Sequence, residues 1–231
     1  NILTQVMFRL VIVFFFFFLF YIIKNQNLSF LKTSGNNIFL LFLAGTFGVG
    51  LMIVFIASSY LYTTYSNANT LLQLSQIFIL ILAGIFLKEK VTKKVIFAIS
   101  LSFLGILVIF QPDFKNNFIG NMFSVFAAFL SSVYTVILRF LRNIKTQTKL
   151  IYTFLFGSVI VAPMALLMEN PFAGSYSKLT WVMIIVMVFQ NIFAYFFYTS
   201  GLKLITASKA GIFASVQVII GVVYSIFLYD E

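Results

Sequence analysis

Residues Ser66–Lys94, SNANTLLQLSQIFILILAGIFLKEKVTKK, open on a small polar cluster, run through an apolar segment and close on one acid among lysines. Ala207–Glu231, ASKAGIFASVQVIIGVVYSIFLYDE, reads as a second version of that stretch. An offset of 141 positions sets Gln76 on Gln217, Ile79 on Ile220 and Ile85-Phe86-Leu87 on Ile226-Phe227-Leu228, and brings Glu89 opposite Asp230. Five of the 25 paired positions are identical, and apolar low complexity inflates such matches. The repeat therefore gains its force from context.

That context is a membrane. Hydrophobic residues make up 62% of the 231, charged ones 9%, and mean hydropathy is +1.09. A soluble domain carries about 25% charged residues. This composition cannot be hidden in one water-soluble core, so the fold class is an all-α integral membrane protein, a polytopic helix bundle. The formal charge of +10 comes from basic residues in short runs between long apolar stretches. Nucleic-acid binding would want a basic face with exposed aromatics, so no nucleic acid is expected as a partner. Cysteine and histidine are both absent, which removes disulfides, thiolate chemistry and the commonest general base and metal ligand. No cofactor and no metal site are expected.

A spanning helix needs about 20 mostly apolar residues, and eight stretches qualify: 6–23, 38–61, 70–87, 95–111, 117–138, 150–168, 181–202 and 210–228. Lysines and arginines fall in alternate connections. Lys24 and Lys32, then Lys88, Lys90, Lys93 and Lys94, then Arg139, Arg142, Lys145 and Lys149, then Lys203 and Lys209 give 12 on one side. Arg9, Lys115 and Lys178 give three on the other. By the positive-inside rule the richer side is cytoplasmic, so Ser66–Lys90 runs inward and its copy at Ala207–Glu231 runs outward. The repeat is thus an inverted one, the architecture of many secondary transporters with substrate near the midplane.

Smaller signals agree with this layout. Gln111-Pro112-Asp113 and Asn170-Pro171 mark turns on the outer side, where Trp181 suits the interface. Pro163 is expected to kink the sixth span, and Gly45, Gly48 and Gly50 make a small face for close packing on the second. The chain begins at Asn1 and stops at Tyr229-Asp230-Glu231 directly after an apolar run. It reads as a fragment with both ends missing. Its first apolar run lacks the basic leader and cleavage site of a signal peptide.

The ordered set of segments resembles the EamA branch of the drug/metabolite transporter superfamily. Tyr198–Phe213, YTSGLKLITASKAGIF, matches that family's short polar turn before a long helix; Ser66–Leu72, SNANTLL, matches it in the first unit. Leu87-Lys88-Glu89 and Tyr229-Asp230-Glu231 stand where the family has a Gly-Glu corner, Leu104–Val108 resembles the next helix, and Ser132–Arg139 resembles the start of the second unit. The resemblance implies ten helices in two inverted five-helix repeats. About eight are visible here, the family's second through ninth, divided as 1–113 and 114–231. The family's proline before each corner is replaced by Gln76 and Gln217, which unsettles any hinge placed by analogy.

The five acids are Glu89, Asp113, Glu169, Asp230 and Glu231, none at mid-membrane by these boundaries. That argues against a carboxylate proton relay and against an enzyme. The polar groups at depth are neutral: Gln73, Ser75 and Gln76 on the third span, Gln190 and Asn191 on the seventh, Ser215 and Gln217 on the eighth. Tyr195 and Tyr198 continue the stripe from Asn191. An unpaired amide in hydrocarbon costs several kcal/mol, so these groups face the bundle or water. Interhelical hydrogen bonds, worth about 0.6 kcal/mol each on average, are one reading. The other is a substrate cavity, and the resemblance implies that the second, third, seventh and eighth visible spans line it. Substrate binding is expected from Gln76 and Gln217 first, then Gln73, Gln190, Asn191, Tyr195, Tyr198 and Ser215.

Glu89, Asp230 and Glu231 are expected as structural corners, with Glu89 capping the helix that starts at Val91–Lys94. The whole reads as a secondary transporter of small metabolites or drug-like compounds in the cell membrane, working by alternating access, with export implied by the resemblance. The expected partners are the lipid bilayer and a small-molecule substrate, with a homodimer as an option. A non-transporting scaffold or sensor subunit, or a channel, is the alternative.

Overall fold

The computed structural model describes residues 2–25, 31–90, 92–110, 117–172 and 176–214. Among them the chain is helical throughout: α1 (Ile2–Asn25), α2 (Gly35–Leu43), a π-helical segment Ala44–Leu51, α3 (Met52–Ser59), α4 (Tyr65–Leu72), α5 (Ser75–Phe86), α6 (Lys93–Phe110), α7 (Phe118–Phe140), α8 (Thr146–Met168), α9 (Lys178–Gly201) and α10 (Ala207–Ala214). Among the described residues six stretches are long and apolar enough to cross a bilayer: Ile2–Lys24, Gly35–Ser59, Asn67–Phe86, Phe118–Phe140, Thr146–Met168 and Lys178–Gly201. The expected span 95–111 forms α6, and 210–228 is described only as far as α10. Ser215, Gln217, Asp230 and Glu231 lie outside the described residues.

The bundle is centred on α8. Helix α1 lies along α8 and α9, and the π-helical segment is wedged between α7 and α8. Fully buried Leu10, Val13, Leu41, Phe154 and Leu138 join these helices in one core. The wedge fits because it lacks side chains where helices cross. A Cβ added at Gly45 would stand 2.5 Å from the Thr153 carbonyl, and one at Gly50 would stand 3.1 Å from that of Gly157. Gly48 faces the Tyr134 ring at a separation no side chain could share. The small face read from the sequence is therefore a three-helix crossing, made with α7 as well as α8. The π-helical winding itself has no sequence signal, and the helix continues through Pro163 rather than ending there.

The third expected span is not one helix. It breaks at Gln73-Leu74, between α4 and α5, where i→i+3 bonds replace the regular ladder: Gln73 N to Thr70 O at 3.2 Å, Leu74 N to Leu71 O at 3.0 Å, Gln76 N to Gln73 O at 3.1 Å and Ile77 N to Leu74 O at 3.0 Å. Such a tightened turn inside a membrane helix frees backbone groups only where the site is buried in protein or lines a cavity.

At the end of α5 the chain turns sharply. Glu89 N donates to Ala83 O at 3.3 Å, and Lys88 takes the left-handed conformation at φ 51°. This is a helix stop with Lys88 in the left-handed position that favours glycine. It explains physically why a Gly-Glu pair suits this corner.

The turn also corrects the expected cap. Glu89 does not serve α6, whose start is capped by Thr92 Oγ1 accepting from Val95 N at 3.4 Å. Instead its carboxylate accepts from Ala207 N at 3.1 Å, Ser208 N at 3.3 Å and Ser208 Oγ at 3.2 Å, at the start of α10. Arg139 Nε pairs with the same carboxylate at 3.3 Å, and its Nη1 donates to Leu202 O and Lys203 O at 3.0 and 3.1 Å. Sequence adjacency favoured the next helix, but the tight stop aims the carboxylate at one distant in sequence. The end of the Ser66–Lys94 stretch thus touches the beginning of Ala207–Glu231, and α10 packs on α5.

A second acid does the same work at the opposite end of the bundle. Glu169, just past α8, accepts from Leu3 N at 3.1 Å and from Thr4 N and Thr4 Oγ1 at 2.8 Å each, at the start of α1. Burial pushes this carboxyl up, while the Thr4 and Leu3 donors, together with the charge of the chain's N-terminal amine, bring it below its ordinary 4.5. Anions at helix N-termini are stabilised by the unsatisfied amides there.

Candidate functional site

The helix break opens onto a cavity of about 270 Å³. Its walls come from four places: Met52 at the start of α3; Leu72, Gln73, Ser75 and Ile79 around the break; Ser131 and Tyr134 on α7; and Ala194, Tyr195 and Tyr198 on α9. Each wall has a local cause. The π-helical segment ends directly before Met52, the tightened turn brings Gln73 and Ser75 onto one side, and the spacing 191, 195, 198 aligns one face of α9.

The polar groups are fixed from behind. Gln73 is 3% exposed, and its Oε1 accepts from Gln76 Nε2 at 2.9 Å. Gln76 does not line the cavity. It is 2% exposed, sits under Gly211 of α10, and leaves its own Oε1 without a hydrogen-bond partner. Its position explains this, since three residues beyond Gln73 it stands one turn deeper in the α5–α10 contact. Tyr198 shares a 2.6 Å hydrogen bond with Thr135 Oγ1, which also donates to Ser131 O at 3.0 Å. The Tyr195 ring packs edge-on against Tyr134 and Phe154 at 5.7 and 5.0 Å. The Tyr134 hydroxyl is buried beside Thr199 and Thr153.

Of the residues singled out from sequence, Gln73, Tyr195 and Tyr198 come together on this cavity, with Gln76 behind them. Asn191 lies one turn from Tyr195 on α9, and its Nδ2 is buried and unpartnered. Gln190 is exposed on the outward side of α9, about 100° round the helix from Asn191. Ser215 and Gln217 lie outside the described residues. Sequence reasoning missed Tyr134 and Ser131. Both sit on the fifth span, which the resemblance did not place at the cavity, although Tyr134 stands inside the Ser132–Arg139 segment that carried the resemblance.

What this arrangement offers is a neutral, aromatic chamber with one oriented amide and several hydroxyls. No group of three or more acid, histidine or cysteine side chains able to hold a metal occurs among the described residues. Such a chamber binds and orients a small molecule.

Comparison with known proteins places the chain. The EamA-like transporter family model matches residues 1–111 and 118–231. A relative described as an uncharacterized transporter in Archaeoglobus fulgidus is 33% identical over 94 residues, 41% of this chain and 34% of that protein. Another from Clostridium kluyveri, described in the same words, is 25% identical over 223 residues, covering 90% of this chain and 70% of its own length. The uncharacterized transporter YetK of Bacillus subtilis is 26% identical over 204 residues, 84% of this chain and 62% of YetK. The chain thus spans from about a third to 70% of the length of these relatives. A solved structure, titled only as a crystal structure of a protein, superposes with a TM-score of 0.79 at 14% identity, over 98% of this chain and 78% of its own. That likeness concerns the fold alone. With both segments matched and six apolar spans in place, the chain is a multi-pass integral membrane protein that belongs to the EamA-like transporter family.

Proposed function

We propose that this protein is a secondary transporter that carries small organic molecules through the cavity at the Gln73-Leu74 break by alternating access. The observation that carries the reading is the break itself. A discontinuous membrane helix beside a chamber lined by Gln73, Tyr134, Tyr195 and Tyr198 is the kind of place where transporters hold substrate. The Gln76–Gln73 hydrogen bond presets the amide, so binding does not have to order it.

With the lysine-rich end taken as cytoplasmic, Glu89 ties the two repeats on the inner face and Glu169 ties them on the outer face. Rocking one repeat against the other would loosen these ties in turn. Export, inferred from the family, is the direction favoured. No chemical step is assigned, since the chamber offers binding groups but no oriented nucleophile and base.

Counterflow in proteoliposomes made with the full-length protein tests this. A panel of labelled metabolites should include at least one exchanged species. Gln73→Leu should abolish that exchange, and Gln76→Leu should weaken it, while both variants insert normally. Full exchange by Gln73→Leu would defeat the site assignment.

A further inference from the structure

Arg9 is a charged residue inside a membrane-spanning helix. It lies seven residues into α1, about 10 Å along the helix axis from Ile2. Its Nε is buried with no hydrogen-bond partner among the described residues, while its Nη1 reaches the sulfur of exposed Met187 on α9, at 3.7 Å. A thioether is a weak acceptor, a poor match for a guanidinium. Both acids among the described residues are occupied elsewhere: Glu89 by Arg139 and the start of α10, Glu169 by Leu3 and Thr4. A charge at membrane depth is costly, and such residues normally mark substrate or ion pathways. An arginine relieving its cost at the membrane surface would extend along α1 to the headgroups. This one leans across to α9.

Where it leans is informative. Met187, Asn191, Tyr195 and Tyr198 follow one face of α9 at intervals of three and four. Met187 touches Arg9, Asn191 carries a buried amide nitrogen with no partner, and Tyr195 and Tyr198 line the cavity. The stripe runs about 16 Å along α9, from a cation with no acid partner among the described residues to an aromatic chamber.

We infer that Arg9 and Asn191 receive the carboxylate of a small organic acid whose body occupies the tyrosine-lined cavity. This rests on the transport reading above and names its substrate class. A planar guanidinium matches a carboxylate in two parallel hydrogen bonds, and Asn191 Nδ2 supplies a further donor. One cation without an acid partner among the described residues balances one negative charge, so a monocarboxylate fits better than a dianion such as a phosphate ester. A chamber of about 270 Å³ suits a small body.

The test uses the purified full-length protein and matched acid and amide pairs, propionate with propionamide and benzoate with benzamide. Ligand-dependent stabilisation against unfolding is read at neutral pH. The acids should stabilise the wild type at roughly tenfold lower concentration than their amides. Arg9→Gln should erase that preference, and Arg9→Lys should keep part of it. Should Arg9→Gln fail to fold, Asn191→Leu reads the same site and should narrow the acid preference. Equal binding of acid and amide, no binding by either acid, or an acid preference surviving Arg9→Gln would each overturn the inference. The two levels fail separately. Counterflow of a neutral solute without any acid preference removes only the role of Arg9, whereas a full-length protein that exchanges nothing removes the transport reading.

Discussion

Removing the Glu89 carboxylate should unfasten α10 from the rest of the bundle. In Glu89→Ala the amides of Ala207 and Ser208 and the Ser208 hydroxyl lose their acceptor, and Arg139 loses its ion pair. The two charged side chains are 11% and 12% exposed, so water replaces these bonds poorly. Breaking a buried, hydrogen-bonded pair by deleting one partner costs about 3–5 kcal/mol. Arg139 keeps the Leu202 and Lys203 carbonyls, which holds the expected loss near the lower end, about 3 kcal/mol. Glu89→Gln retains an acceptor oxygen and should lose only about 1–2 kcal/mol. Reversible unfolding of the full-length protein in mixed micelles reads these values. A double-mutant cycle with Ser208→Ala isolates the Ser208 hydroxyl's bond to the carboxylate and should return a coupling of about 0.5–3 kcal/mol. A total loss below about 1 kcal/mol, with the two substitutions additive, would refute the reasoning.

Three further outcomes follow from the same coordinates. Glu169→Gln should cost about 1–2 kcal/mol at neutral pH; because the folded carboxyl sits below its ordinary 4.5, its contribution is whole above that value and fades as pH falls below it, so unfolding followed down to acid pH should lose its low-pH slope in the variant. Gly45→Ala should destabilise by about 1–3 kcal/mol in an unfolding titration, since its Cβ meets the Thr153 backbone, while Gly201→Ala, with nothing within 4 Å, should be neutral or better. Lys88→Gly should gain about 0.5–1 kcal/mol in the same titration, the relief of a left-handed side-chain residue less the entropy glycine loses on folding.

Composition and charge placement were enough to read a helical membrane bundle, because apolar length and lysine position follow directly from the bilayer. The Gly45–Gly50 face was legible for the same reason, as small residues in a span have few other uses. Gln73, Tyr195 and Tyr198 could be named because a polar group at membrane depth must face something polar. What stayed hidden depended on backbone winding. The Gln73-Leu74 break carries no proline or glycine, and the π-helical winding of Ala44–Leu51 follows from how that segment packs between α7 and α8. Glu89 was legible as a capping acid but not in its target, because the left-handed stop at Lys88 decides where the carboxylate points. Arg9 was counted with the connections by its charge, although it lies inside α1 and reaches toward α9. Tyr134 was passed over because phenol rings are common in this chain, with 11 tyrosines, and nothing local marks the one that meets a cavity.

Alternating exposure of the cavity is the central claim, and the absence of cysteine from these 231 residues makes it directly measurable once any cysteine elsewhere in the full-length protein is replaced. Ser75→Cys places a single thiol on the cavity wall beside the helix break. Membrane-impermeant thiol reagents are then applied to right-side-out and to inside-out vesicles containing the full-length protein. The account predicts labelling from both faces, with each face slowed when the other repeat tie is strengthened by cross-linking. Labelling from one face alone, or from neither, would contradict it.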